Sequence, residues 1–353
     1  MSVDTVFIVR PAYFTFNAET AISNKFQHCD NIPSNIVENA SKEFDNFENI
    51  LKKYVNVITI NDTPTPIKPD AVFPNNWITL HIKEHNKIIL YPMCAVNRRY
   101  ERRLDVIESI KQYYNLNISK EHNFEDCSII DLSQHENNNK YLEGTGSMIF
   151  DHYNKIIYVC LSERSHIDII EELCLDSNQY LNNYKIISFL AVDQNNFPVY
   201  HSNVMLSIAD EYVIVCKEAI CTEIPNELPC NMKANTIPIL TRTDLITNLQ
   251  NGSLGTDDDT KSKREIIEIT MEQMNQFAGN MLELKRKTNS TSITDNSNNN
   301  AKSLLFLSET AFNCLSNQQI EQISKYSELI SIPIPTIEKY GGGSIRCMMC
   351  EIR

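Results

Sequence analysis

Short runs rich in β-branched and aromatic residues alternate with longer stretches of helical spacing, and this alternation is what most restricts how the chain can fold. The strand-like runs are Val6–Val9, Val55–Ile60, Trp77–Ile82, Ile88–Tyr91, Ser128–Asp131, Met148–Phe150, Ile156–Cys160, Ile186–Ala191, Val204–Ile208, Tyr212–Cys216, Thr236–Leu240 and Ser303–Leu307. Helical patterns cover 35–53, 99–115, 165–180, 262–275 and 317–327. The order reads strand, strand, helix, strand, in units of roughly 60 to 80 residues without visible sequence identity between them. Such a unit is shorter than half of a doubly wound dinucleotide-binding domain, and no G-x-G-x-x-G or P-loop segment occurs, so a Gly-rich nucleotide cradle has no support. The expectation is an α/β chain of small modules arranged around a centre.

Charge narrows the function. With 32 Lys+Arg against 45 Asp+Glu the net charge is −13, and the basic stretches Arg98-Arg99, Arg102-Arg103 and Lys285 to Lys287 are short, which argues against nucleic acid as a partner. The start of the chain lacks the basic and apolar regions of a leader, and no run is long enough to span a membrane, so a soluble, cytoplasmic protein is expected. The 11 Cys are scattered without paired zinc spacing, as in a reducing compartment. Cys347-Met348-Met349-Cys350 has no strand-to-helix context that would make it a redox motif. His81 and His85 have metal-pair spacing but flank a hairpin-like strand and read better as a satisfied surface pair. The polar stretches near 251–263 and 285–302 read as surface insertions.

Glycine is scarce: 8 in 353 residues, about a third of ordinary usage. Five of them fall in two clusters, Gly144 with Gly146 and Gly341-Gly342-Gly343. The second cluster ends in Ser344-Ile345-Arg346-Cys347 and can turn a thiol toward a substrate, with a flexible tail of buried thiols as the lesser, competing reading. A nucleophilic Cys needs a base, and His201 in Phe197-Pro198-Val199-Tyr200-His201-Ser202-Asn203 lies at the mouth of a strand. In isolation that His caps a loop carbonyl; paired with Cys347 it supplies proton transfer. Glu143 precedes the first glycine turn and can accept two N–H bonds from a planar group. Asn75 and Asn76, beside the single Trp77, both donate and accept; an Asx-turn also accounts for them.

These segments, in order, resemble the guanidino-group-modifying superfamily, the pentein enzymes that include arginine deiminase, dimethylarginine dimethylaminohydrolase and the amidinotransferases. The segments that carry the resemblance are Arg10-Pro11 with FNAET at 16–20, FPNNW at 73–77, YPMCAVNRRYERR at 91–103, EGTGSM at 143–148, LSERSH at 161–166, PVYHSNVM at 198–205 and GGGSIRCM at 341–348. They are most similar to the arginine-deiminase-related branch of citrulline-utilisation hydrolases. The region from about 217 to 303 carries no such motif. The resemblance implies a five-bladed α/β-propeller of ββαβ modules, formed as one catalytic domain over 1–353. It implies Cys347 as nucleophile, His201 as general acid/base and Glu143 as the carboxylate that orients substrate nitrogens and the imidazole. It further implies substrate binding by Asn17, Asn76 and Asn203, with Arg164 and Arg98 or Arg99 holding an α-carboxylate through bidentate guanidinium contacts.

One departure from the arginine deiminase pattern bears on substrate. Asn76 and Asn203 stand where those enzymes carry acids, so two negative charges are missing and a ureido or weakly charged guanidine becomes more plausible beside cationic arginine. The expected reaction is attack of the Cys347 thiolate on the trigonal carbon, loss of an amine or ammonia protonated by His201, and hydrolysis of the covalent intermediate. Transfer of the amidino group to an amine, or a catalytically silent binding protein on the same scaffold, are the competing expectations. No metal or organic cofactor is implied, and the oligomeric state is not readable. The expected partner is a small guanidino or ureido amino acid.

Overall fold

A computed structural model of the chain describes residues 2–117, 127–174, 180–181, 183–229, 232, 237–252, 263–287 and 302–353. Residues 253–262 and 288–301, most of the two expected insertions, lie outside the described residues.

The strands are β1 (Thr5–Arg10), β2 (Asn56–Asn61), β3 (Ile78–His81), β4 (Lys87–Leu90), β5 (Ser128–Asp131), β6 (Met148–Asp151), β7 (Ile156–Cys160) and β8 (Lys185–Phe189). They continue with β9 (Leu206–Ile208), β10 (Tyr212–Val215), β11 (Ile239–Leu240), β12 (Glu265–Glu268), β13 (Leu282–Leu284), β14 (Ser303–Ser308), β15 (Ser327–Ile332) and β16 (Cys350–Glu351). Among the described residues they form five small mixed sheets that repeat one pattern. An antiparallel pair is followed by a helical crossover to a parallel strand: β3-β4-β5, β6-β7-β8, β9-β10-β12 and β13-β14-β15. The fifth copy joins the two ends of the sequence, because β16 pairs antiparallel with β1 and β1 pairs parallel with β2. The strand-strand-helix-strand rhythm of the sequence is thus physical: each parallel pair needs a crossover, and a helix covers it.

Helix Ile36–Tyr54 makes the β1 to β2 crossover. Ile36, Ala40, Phe44, Phe47 and Leu51 are its buried face, spaced three and four apart as a stripe facing a core must be. Glu38 in its first turn and Lys52 and Lys53 in its last oppose the helix dipole. Strand β1 buries nearly every residue, so its apolar run is continuous rather than alternating, as for a strand covered on both faces.

Two expectations change. The helical pattern over 262–275 divides into β12 and a helix at Met271–Asn275. Pairing of Val213 and Ile214 with Ile266 and Ile267 takes the first half, and a capping box of Thr270 with Gln273 starts the helix only afterwards. His81 is buried rather than superficial, with Nε2 3.0 Å from the Thr79 hydroxyl. Among the described residues no cluster of His, Cys, Asp and Glu could hold a metal, and no helix is long and apolar enough to cross a membrane.

Each sheet's leading strand is preceded by the segment that carries a polar site residue. Short helical turns at Pro74–Asn76, Gly144–Ser147 and Ser202–Val204 run into β3, β6 and β9, and segments 277–281 and 344–349 run into β13 and β16. The turn at 144–147 contacts both the 74–76 and the 202–204 turns, so residues far apart in sequence converge on one side of the sheets.

Candidate active site

Helix Pro335–Gly341 delivers Cys347. The carboxylate of Glu43 accepts from the Thr336 and Ile337 N–H groups at 2.9 and 3.0 Å and so caps its first turn. Gly342 ends it with φ +63°, and its N–H donates to the Glu338 carbonyl at 2.9 Å, a left-handed cap that a side chain disfavours. Tight turns then carry the chain from Ser344 to Met349, with the Cys347 N–H on the Ser344 carbonyl. Cys347 is buried, part of the same apolar cluster as Phe73, Ile345 and Met348, so this segment is core and not a loose tail. Cys350 is also buried, with its thiol on the Ile78 carbonyl, and burial pushes that thiol up.

Glu143 and His201 form a buried hydrogen-bonded pair. Glu143 Oε2 lies 2.8 Å from His201 Nε2, while Oε1 accepts the Cys94 N–H at 3.0 Å and Arg164 Nη1 lies 3.3 Å from Oε2. Burial alone would raise this carboxyl, but Arg164, the His201 bond and Arg98 outweigh it and hold the group well below the usual carboxylate range. Burial is also the largest influence on His201 and draws it down to about 4, against the raising effect of Glu143. Near neutral pH the imidazole is therefore uncharged. Its Nε2 carries the proton that Glu143 accepts, and Nδ1 is left as the base. The Tyr200 ring lies tilted against the imidazole with centroids 4.5 Å apart, and its hydroxyl donates to the Gly342 carbonyl at 3.0 Å, which ties the His-bearing and Cys-bearing segments together. Gly146 lets the pair approach: a Cβ there would stand 2.3 Å from Asn76 Nδ2 and 2.8 Å from His201 Nδ1.

Cys347 and His201 line one cavity of about 20 Å³ with Thr20, Asn24, Asp70, Phe73, Asn76, Arg98, Arg164, Tyr200 and the three consecutive glycines. Asn76 Oδ1 accepts from Arg98 Nη1 at 2.9 Å, and Asn76 Nδ2 has no partner among the described residues. Asn203 Nδ2 lies 3.3 Å from the Cys347 sulfur, and its Oδ1 likewise has no partner. Asn17 lies behind the cavity wall and donates from Nδ2 to Asp70 Oδ2 at 2.7 Å.

The arginines behave differently from one another. Arg98 is buried and paired with Glu101 through Nε and Nη2, both at 2.9 Å, while Nη2 also reaches the Phe73 carbonyl. With Asn76 these contacts occupy four of the five N–H groups that a guanidinium has. Arg164 is similarly occupied by Glu143, the Thr20 carbonyl at 2.8 Å and Ser23 Oγ. Neither presents the free parallel pair of donors that a carboxylate takes. Arg99 lies outside the cavity, on the Met93 carbonyl and 3.3 Å from Glu136.

Over residues 10–353 the sequence matches the family model described as N,N dimethylarginine dimethylhydrolase, eukaryotic. The chain belongs to this family. The family takes its name from hydrolysis of dimethylarginine. No curated protein matches the chain. Among solved structures it is similar to ArgZ, an arginine dihydrolase from the ornithine-ammonia cycle in cyanobacteria, with 15% identity and a TM-score of 0.62 over 98% of this chain and 40% of that one. A variant of the N-terminal domain of ArgZ bound to substrate is similar at 14% identity and a TM-score of 0.61, over 98% and 96% of the two chains. A dimethylarginine dimethylaminohydrolase variant in an adduct with S-methyl-L-thiocitrulline is similar at 12% identity and a TM-score of 0.55, over 99% of each chain. The chain spans about 40% of the length of full-length ArgZ. These likenesses make the fold a pentein α/β fold.

Two residues of the site escape a reading of the sequence. Asp70 immediately precedes Ala71-Val72-Phe73-Pro74-Asn75-Asn76; it is buried, its Oδ2 accepts from Asn17 and from Thr20 at 3.1 Å, and its Oδ1 has no partner among the described residues. An acid directly before a motif rich in amides was the available signal. Asn280 lies in the motif-free region, and its Nδ2 is 3.2 Å from the Cys347 sulfur. Nothing in the local sequence marks it.

Proposed function

We propose that the chain hydrolyses a C–N bond of the guanidino group of an arginine-like amino acid through a covalent intermediate on Cys347. The observation that carries this reading is the cavity that Cys347 shares with His201 and with the open carboxylate oxygen of Asp70. The five sheets, with their leading strands converging on the site, support a five-bladed propeller forming one catalytic domain.

Charge supports a cationic substrate. The buried groups around the cavity are Asp70, Glu101 and Glu143 against Arg98 and Arg164; with His201 neutral and all three acids ionised the sum is 2 − 3 = −1, and burial, which raises Asp70 and lifts Glu101 to about 7, brings it toward zero near neutral pH. Asp70 thereby replaces one of the two acids whose absence at Asn76 and Asn203 pointed toward a ureido group. A guanidinium beside Asp70 favours the ionised carboxylate and compensates its charge, whereas a neutral ureido substrate brings no counter-charge. The free Asn203 Oδ1 and Asp70 Oδ1 accept N–H groups, and the free Asn76 Nδ2 donates.

In the first half of the reaction Cys347 passes its thiol proton to His201 Nδ1, and the thiolate forms an S–C bond to the guanidino carbon as the C=N π pair moves to nitrogen. The adduct collapses with breakage of a C–N bond, and a proton held by His201 goes to the departing nitrogen. Water then attacks the same carbon and gives its proton to His201; the C–S bond breaks and a ureido product remains. Glu143 keeps the imidazole oriented throughout and balances its charge when protonated.

A cavity of about 20 Å³ holds roughly one water, not an amino acid. Substrate therefore enters when segment 17–28, which covers the cavity with Thr20 and Asn24, moves away. That movement breaks the contacts of Arg164 with Thr20 and Ser23 and frees its guanidinium for the substrate carboxylate.

The test is a panel of arginine, methylated arginines, agmatine and citrulline, scored for ammonia and amine release, on wild type and Cys347→Ser. Release from arginine or a methylarginine, reduced at least about a thousandfold in the variant, is expected. Release from citrulline alone, or from no guanidino compound, overturns the reading.

A further inference from the structure

Asn280 is fully buried and makes three hydrogen bonds that fix its orientation. Its Oδ1 accepts the Arg346 N–H at 3.0 Å, and its Nδ2 donates to the Asn203 carbonyl at 3.0 Å. A backbone N–H can only donate, so the oxygen faces Arg346 and the NH2 end faces the sulfur, 3.2 Å away. Asn203 Nδ2 reaches the same sulfur at 3.3 Å. The two amides come from the segments that lead into β13 and β9, and the sulfur from the segment that leads into β16. Backbone contact holds the first two together: a Cβ on Gly279 would stand 2.4 Å from the Val204 carbonyl oxygen, so this approach requires glycine.

We propose that Asn280 is a catalytic residue, acting with Asn203 as a pair of N–H donors that stabilises the thiolate of Cys347. This inference rests on the reading of Cys347 as nucleophile. A thiolate accepts both N–H groups, whereas a thiol can offer only one proton, toward Asn280 Oδ1 at 3.6 Å, and is the poorer acceptor. The donors act at both ends of the reaction. Before attack they raise the thiolate fraction near neutral pH. When the covalent intermediate hydrolyses and the C–S electron pair returns to sulfur, a thiol of lower pKa leaves faster. Amides suit this pocket better than a Lys or Arg beside the sulfur, because they stabilise the anion without adding a positive charge that would repel a guanidinium.

The experiment is a pH titration of thiolate ultraviolet absorbance in the full chain, taken as the difference between each protein and the same protein carrying Cys347→Ser. It compares wild type, Asn280→Ala and Asn280→Asp, with thermal unfolding as the check on folding. Hydrogen bonds to a charged group have strengths that correspond to an upward shift of about one to two pH units in Asn280→Ala. Asn280→Asp keeps the acceptor for Arg346 but sets an oxygen against the sulfur, and its shift is expected to be larger. Because a carboxylate at that distance repels a thiolate whatever Asn280 does, the deciding variant is Asn280→Ala, for which a purely structural role predicts a wild-type titration. An unmoved profile in a folded Asn280→Ala overturns the proposal. Since no substrate is used, failure of every guanidino compound to react would refute the proposed function separately.

Discussion

His201 illustrates how burial decides the behaviour of one residue. Its folded pKa of about 4 lies below the ordinary histidine value of 6.5, so between these values the unfolded chain binds a proton that the folded chain refuses. Stability is then complete above about pH 6.5 and is lost as pH falls toward 4, by about 3 kcal/mol for this group. Urea denaturation across that window should show the loss, and His201→Gln should flatten it. The acid limb of kcat/KM should lie near pH 4, where Nδ1 ceases to be a base. Gly146→Ala is a second prediction at this scale. Its methyl would collide with Asn76 and His201, so kcat/KM should fall at least about a hundredfold while stability falls by about 1–3 kcal/mol. Glycine placement and motif order singled out Cys347, His201 and Glu143, and the structure puts Cys347 and His201 on one cavity with Glu143 bonded to His201. Asp70 had only its place before an amide-rich motif to mark it, and Asn280 had nothing, since a lone amide carries no spacing signal.

Among elements, the segment 17–28 matters most for access. Besides the bonds to Arg164, it is held by Asn24 Nδ2 on the Gly342 carbonyl at 3.0 Å and by the His28 N–H on the Lys339 carbonyl at 2.9 Å. Arg164→Lys replaces a planar fork by a point charge and cannot keep Glu143, Thr20 and Ser23 together. KM for an arginine-like substrate should rise at least tenfold, about 1.4 kcal/mol, measured by steady-state kinetics. Strand β16 is the other decisive element. Val6 and Phe7 pair with Glu351 and Cys350, and the Ile352 N–H bonds the Thr5 carbonyl at 3.1 Å. Its short sequence gives no strand signal; the partner strand creates it. Removal of residues 350–353 should abolish turnover together with a marked fall in melting temperature, because the turn that presents Cys347 loses its anchor.

At the scale of the whole molecule, the sheets are joined by buried polar links as well as apolar clusters. Asp151 at the end of β6 takes a bidentate pair from Arg264, just before β12 in another sheet. Asp151→Asn leaves the Arg264 charge inadequately compensated, and a loss of about 3–5 kcal/mol is expected by chemical denaturation. The sequence by itself determined the α/β class and the strand-strand-helix-strand repeat, and it singled out Cys347, His201 and Glu143. These follow from local periodicity, from glycine placement and from short motifs, all of which act within a few residues of chain. Only the tertiary structure decided that the fifth module closes from both ends, that Arg98 is paired with Glu101, and that Asp70 and Asn280 join the site. Those outcomes depend on which distant segments share a buried volume, where low dielectric and close packing choose the partners of most polar groups and leave a few open toward the cavity.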